Sequence, residues 1–257
     1  MGLFDLFKKK DNATDNTATP SVTNTVAQET VNTVGMTIDM SKSANNLNKV
    51  LIDMSKSSKI DMTKHTARVA FAMDYSGSMD DLYRNKSVQK LITRLLPIAL
   101  KFDDNGELES WLFSIGKKKL APVTLENYEN YVKDVIYHSN FRMSGTEYSP
   151  VLRDMVHYYK DKQPSEIPAF IIFITDGDNS DKYETDEIVR ELSKYNMFVQ
   201  FVGIGMDSFS YLRKLDDLSG RASDNTGFIT VRDINRLSDE ELYTKLLEQY
   251  KAWLNNK

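Results

Sequence analysis

From Thr66 onward, two hydrophobic patterns alternate along the chain. Residues 68–73, 169–175 and 198–204 are nearly continuous apolar or β-branched runs, which predicts parallel strands covered on both faces. Residues 108–113 alternate instead, with Leu108, Ser110 and Leu112 on one side and Glu109, Trp111 and Phe113 on the other. That is the period-two signature of a strand nearer a sheet edge. Helical spacing covers residues 87–102, kinked at Pro97, then 125–138, 149–160 and 186–195. A last helix, 238–254, opens with a Ser238-x-x-Glu241 capping box and carries Leu242, Leu246, Leu247, Tyr250, Trp253 and Leu254 on one stripe. Elements of this length in alternation predict an α/β fold: a doubly wound, mostly parallel sheet with helices on both faces.

The pattern changes before Thr66. Leu3, Phe4, Leu6 and Phe7 share one helical face and Lys8, Lys9 and Lys10 follow. Residues 3–10 therefore read either as a short tip for peripheral contact with a membrane surface or a partner, or as a frayed start with no role. Residues 11–35 are rich in Thr, Asn, Val and Ala without a period and read as a flexible, disordered tether. Next comes an internal echo, Ile38-Asp39-Met40-Ser41-Lys42-Ser43 returning as Ile52-Asp53-Met54-Ser55-Lys56-Ser57, with a shorter third copy at Ile60-Asp61-Met62. Its alternation and Ser-Lys-Ser-Ser turn predict a short β-hairpin with strands at 49–54 and 59–63. The chain thus divides into residues 1–35, 36–65 and 66–257.

Composition narrows the function classes. In 257 residues, 40% hydrophobic and 27% charged, there is room for one full core of ordinary soluble type. A net charge of −4 without a basic stripe disfavours nucleic acid as a partner. The absence of cysteine removes thiol nucleophiles, thiolate zinc sites and disulfides. His65, His138 and His157 lie far apart and lack metal-ligand spacing. No apolar run is long enough to cross a membrane and no signal peptide is recognised, so a prokaryotic cytoplasm is the expected compartment.

The candidate chemistry lies at strand exits. Asp74-Tyr75-Ser76-Gly77-Ser78 directly follows one apolar run, Asp176-Gly177 follows another, and Ser144-Gly145-Thr146 sits in a polar loop. Open α/β sheets bind their ligands at such exits. An Asp-x-Ser-x-Ser loop turns a carboxylate and two hydroxyls inward, and these oxygens suit Mg²⁺ (or Mn²⁺/Ca²⁺). Only two of the five candidate donors are charged, so a divalent ion is neutralised and keeps Lewis acidity for one more ligand. The natural source of that ligand is an acidic group on a partner.

These residues resemble the metal-ion-dependent adhesion site (MIDAS) of von Willebrand factor A-type (VWA) domains, a similarity covering residues 66–257. The resemblance implies that Asp74, Ser76, Ser78, Thr146 and Asp176 hold the ion, directly or through water, and that residues 117–123 form a short antiparallel edge strand. Residues 36–65 resemble the opening of TerD-like proteins, so the whole is similar to TerF-like proteins of tellurium resistance and general stress. The implied function is a metal-dependent protein-binding module whose ion is completed by a partner's Asp or Glu, not an enzyme. The alternative is a phosphoryl hydrolase or transferase using the same ion. Asp80 and Asp81 read either as an adjacent second ion site or as a solvated acidic loop. Tyr75, Tyr148 and Asp178 are expected on the partner-binding rim, with Tyr183 and Glu147 nearby and Asn179 and Asp181 tuning charge or capping the helix that follows.

Overall fold

Continuous β-branched and apolar runs become the centre of a six-stranded sheet in the computed structural model, which describes residues 37–257. The tip at residues 3–10 and the tether to residue 35 lie outside the described residues. Helix α1 spans Ile38–Lys56, followed by β1 (Arg68–Asp74), α2 (Asp80–Arg84), α3 (Ser87–Phe102), β2 (Glu109–Phe113) and β3 (Lys117–Lys119). Then come α4 (Ser149–His157), β4 (Ala169–Thr175), α5 (Lys182–Leu192), β5 (Met197–Ile204), α6 (Ser210–Asp216), β6 (Thr226–Val231) and α7 (Asp239–Asn255).

The strand order is β3-β2-β1-β4-β5-β6. All neighbours pair in parallel except β3, which closes one edge antiparallel to β2. The chain leaves β1 toward β2 and returns on its other side as β4, so the order reverses between β1 and β4. A crevice opens at such a switch point beyond the carboxyl ends of the strands.

Alternation along each strand divides the core in two. Val69, Phe71 and Met73 of β1 pack with Leu91, Ile92 and Leu95 of α3 and Leu246 and Tyr250 of α7. Ala70 and Ala72 face the opposite layer, with Val151 and Met155 of α4, Ile188 of α5 and Leu212 of α6. The last helix begins as its sequence predicts: the Ser238 hydroxyl accepts from the Glu241 N–H and the Glu241 carboxylate accepts from the Ser238 N–H.

The expected hairpin at residues 49–54 and 59–63 is not formed; the first of these segments lies inside α1. Met40, Leu47, Val50, Leu51 and Met54 are buried at spacings of three, four and seven, a helical face. They join the same core as α3 and α7. Thr37 caps the helix by accepting the Met40 N–H. Farther along, the Ser43 hydroxyl donates to Asp239 at 2.7 Å, and Asp239 is paired at 2.6 Å with half-sequestered Arg94.

Other differences are local. The segment predicted as one helix over 125–138 is a π turn, Val132–Ile136, between two 3₁₀ turns. Helix α5 starts four residues earlier than residue 186, and α4 widens into a π turn at Tyr158–Lys162. Strand β6 and helix α6 had no strong signal. Gly227 in β6 interrupts the apolar pattern because a Cβ there would stand 2.7 Å from the amide oxygens of Gln200 and Gln249.

Candidate metal centre at the switch point

Asp74 ends β1 and is fully buried. Its Oδ1 accepts the Ser76 backbone N–H at 2.8 Å and its Oδ2 accepts the Thr175 hydroxyl at 2.6 Å. Beyond the strand the loop turns Ser76 and Ser78 toward each other, with their hydroxyls 3.1 Å apart. The Ser78 hydroxyl donates to Asp176 Oδ1 at 2.8 Å, across 98 residues of sequence. Two strand exits therefore meet through two carboxylates and two serine hydroxyls.

Backbone contacts hold the third stretch beside them. Ser76 and Ser144 form a parallel bridge, and the Gly77 N–H donates to the Ser144 carbonyl at 3.2 Å. Thr146 is half-buried, and its carbonyl accepts the Ser180 N–H at 3.0 Å. Among the described residues the Thr146 hydroxyl has no hydrogen-bond partner in the protein, whereas Ser76, Ser78, Asp74 and Asp176 are already linked to one another.

Burial pushes the Asp74 carboxyl up to about 6, against hydrogen bonds from Thr175 and Ser76 that lower it, and the Asp176 charge adds to the rise. Asp176 is also raised, first by burial, while Ser78 opposes the shift. Two desolvated acids at one crevice are an uncompensated negative charge, which a cation would relieve. The donors are carboxylate and hydroxyl oxygens, so the residues fit a hard divalent ion rather than Zn²⁺ held by thiolate or imidazole.

Several supports were not legible in the motif. Thr175, the last residue of β4, orients the Asp74 carboxylate. Tyr83 donates to the Asp74 carbonyl at 2.9 Å. Asp181 was expected to tune the rim charge or cap the helix following it; its carboxylate instead accepts the Tyr148 and Ser149 N–H groups at 2.9 and 2.7 Å. It thereby caps α4, an earlier helix, and ties the Thr146 loop to the Asp176 loop. Burial pushes the Asp181 pKa up, but hydrogen bonds from Ser149, Tyr148 and Asn179 outweigh it and leave the pKa below the ordinary value.

Two rim assignments need correction. Tyr75 is buried, edge-on to Tyr83 with ring centres 5.1 Å apart, because Asp74 and Ser76 turn toward the crevice and the residue between them points the other way. Tyr148 is fully buried and donates its hydroxyl to the Gly177 carbonyl at 2.6 Å. Asp178 is exposed and paired with Lys182, while Tyr183 is exposed. Asp80 and Asp81 lie in the first turn of α2 and pair with Arg84 at 2.6 and 3.1 Å. Among the described residues no three His, Asp or Glu side chains cluster as a metal cage; three of the five candidate donors are hydroxyls.

The family described as vWA-TerF-like, vWA found in TerF C terminus, matches residues 66–257. The chain is 39% identical over 211 residues to the uncharacterized protein YcbR of Bacillus subtilis (strain 168), covering 79% of this chain and 86% of YcbR. Copine-E of Dictyostelium discoideum is 36% identical over 171 residues, which span 60% of this chain but 29% of Copine-E. Among solved structures, proximal thread matrix protein 1 from the mussel byssus, with a zinc occupied MIDAS motif, is similar at a TM-score of 0.54 and 15% identity, over 74% of this chain and 46% of that one. The SpRpn10 VWA domain is similar at 0.50 and 14%, over 72% and 95%. At such identity these structures bear on the fold alone.

Proposed function

Because this chain belongs to the vWA-TerF-like family, we propose that it is a divalent-cation-dependent protein-binding module. Asp74, Ser76, Ser78, Thr146 and Asp176 hold the ion, directly or through water, and an Asp or Glu of a partner completes its coordination. One observation carries this reading: the linkage of Ser78 to Asp176 that joins two distant strand exits beside a carboxylate raised by burial. Two negative charges balance a divalent ion without saturating it, so attraction remains for a third carboxylate. Mg²⁺ is the ion that hard, hydroxyl-rich donors with retained waters suit best, with Mn²⁺ next. That a protein of similar fold holds zinc in a MIDAS motif is consistent with a divalent ion as the ligand proposed here. The TerF-like description of the family supports a setting in tellurium resistance or general stress. Binding, not turnover, is the proposed activity.

A surface-immobilised peptide with a single Glu in an uncharged background tests this. It should retain the full chain in Mg²⁺ and release it in EDTA, with the melting transition showing that the released protein is still folded. Retention unchanged by EDTA, or by Asp74→Ala, would contradict the proposal.

A further inference from the structure

Building on that reading of the ion site, we infer that the groove beside Asp176 is a second, charge-selective contact. The partner segment that brings a carboxylate to the ion also brings a second acidic side chain to Arg232. Leu82, Asn85, Asp176, Ile204, Met206 and Arg232 are among the residues that line the groove. Asp176 directly follows β4, Met206 comes two residues after β5, and Arg232 directly follows β6. The groove thus runs from the ion site along the carboxyl ends of three adjacent parallel strands.

The charges on this face are mostly spent. Asp80 and Asp81 pair with Arg84, Asp178 with Lys182, and Asp233 with Arg236 at 3.3 Å. Arg232 is exposed and, among the described residues, makes no ion pair and no side-chain hydrogen bond. Asp207, exposed next to Met206, accepts from the Ser208 N–H and hydroxyl. Arg232 is therefore the place in the groove where a second acid is favoured.

Apolar exposure marks the same face. Six large hydrophobic side chains are exposed among the described residues, and two of them, Ile38 and Ile52, belong to α1. The other four surround the site loops. Met206 is 72% exposed in the groove, and Ile115, 60% exposed, lies against Gly145, where an added Cβ would stand 3.2 Å from its Cγ2. Tyr137 packs beside Tyr83, the residue that donates to the Asp74 carbonyl, and Tyr183 opens α5. An exposed Met206 in one groove with a free guanidinium is the composition of a protein-contact surface. The chemistry recognised is therefore an extended segment with two acidic residues and an apolar side chain for Met206.

The test selects a random-peptide library on the Mg²⁺-loaded full chain and on an Arg232→Glu variant, followed by anisotropy titration of the selected peptides. Wild-type protein should enrich peptides with two acids, and replacing the second acid by Gln should weaken binding about three- to tenfold, the size of a partly exposed charge pair. Arg232→Glu should keep the first acid and exchange the second for Lys or Arg, with the EDTA dependence unchanged. The same peptides emerging from both proteins, still released by EDTA, would overturn this inference and leave the ion site standing. Peptides without any enriched acid, or binding indifferent to EDTA, would overturn the ion-site reading itself.

Discussion

Thr175 and Asp181 carry much of the site's geometry without being part of its motif. The Thr175 hydroxyl fixes one Asp74 oxygen at 2.6 Å, the kind of outer contact whose loss costs metal sites roughly 10- to 100-fold in affinity. Thr175→Val should therefore weaken Mg²⁺ binding by about tenfold, measured by calorimetry, while circular dichroism remains that of the parent. Asp181→Ala removes the acceptor for two backbone N–H groups at the start of α4. A loss of about 2 kcal/mol in urea unfolding is expected, together with weaker metal binding because the Thr146 loop loses its tie. Four of the five candidate ligands, Asp74, Ser76, Ser78 and Asp176, stand where residue type and strand exit coincide, in Asp-Tyr-Ser-Gly-Ser and Thr-Asp-Gly, whereas Thr146 was read from its Ser-Gly-Thr loop. Asp181 was not legible, since the N–H groups that donate to it lie 33 and 32 residues back and no local pattern announces them. Tyr75 and Tyr148 were misplaced on the rim for a related reason: the motif says which residues converge, not where their neighbours turn.

At the scale of elements, α1 is the instructive case. Its two echo copies begin at Ile38 and Ile52, fourteen residues apart, close to four turns of helix. Corresponding residues therefore return to the same face: Met40 and Met54 are buried, while Ile38 and Ile52 are exposed. Read over five or six residues, the same string alternates and imitates a strand. Only the longer period, with the cover supplied by α3 and α7, reveals the helix. Leu51→Ala should cost about 2–5 kcal/mol in urea unfolding as a buried large-to-small change, and Ile52→Ala less than about 0.5 kcal/mol as a surface one. Equal costs at these adjacent positions would contradict the helix. The strands and the long helices α3 and α7 were legible from period and capping. The irregular turns at residues 128–139 were not, because their apolar residues are held by tertiary packing rather than by a regular helix.

For the molecule as a whole, the alternation of elements announces a doubly wound sheet, and the observed strand order places the switch point between β1 and β4, where the site lies. Its pH response was not foreseeable, because it depends on what meets His65. That ring packs against Phe102 of α3 and Tyr250 of α7, with Nε2 2.8 Å from the Tyr250 hydroxyl. Burial, followed by the nearby Lys257 charge, lowers its pKa from 6.5 to about 4. The folded protein thus holds His65 neutral while the unfolded chain protonates near 6.5. The associated stability is complete above pH 6.5 and is lost as pH falls toward 4. Discounted for partial exposure, the loss by pH 5 is about 1 kcal/mol. His65→Gln should flatten that limb in pH-dependent thermal unfolding, and an unchanged profile would refute the assignment.

The most direct test of the central claim is calorimetric titration of the metal-free full chain with Mg²⁺ and Mn²⁺, beside Asp74→Ala and Asp176→Ala. The account predicts one ion per chain, bound by the parent and lost in both variants, with each variant still folded. A parent that takes up neither ion, or variants that bind as the parent does, would contradict it.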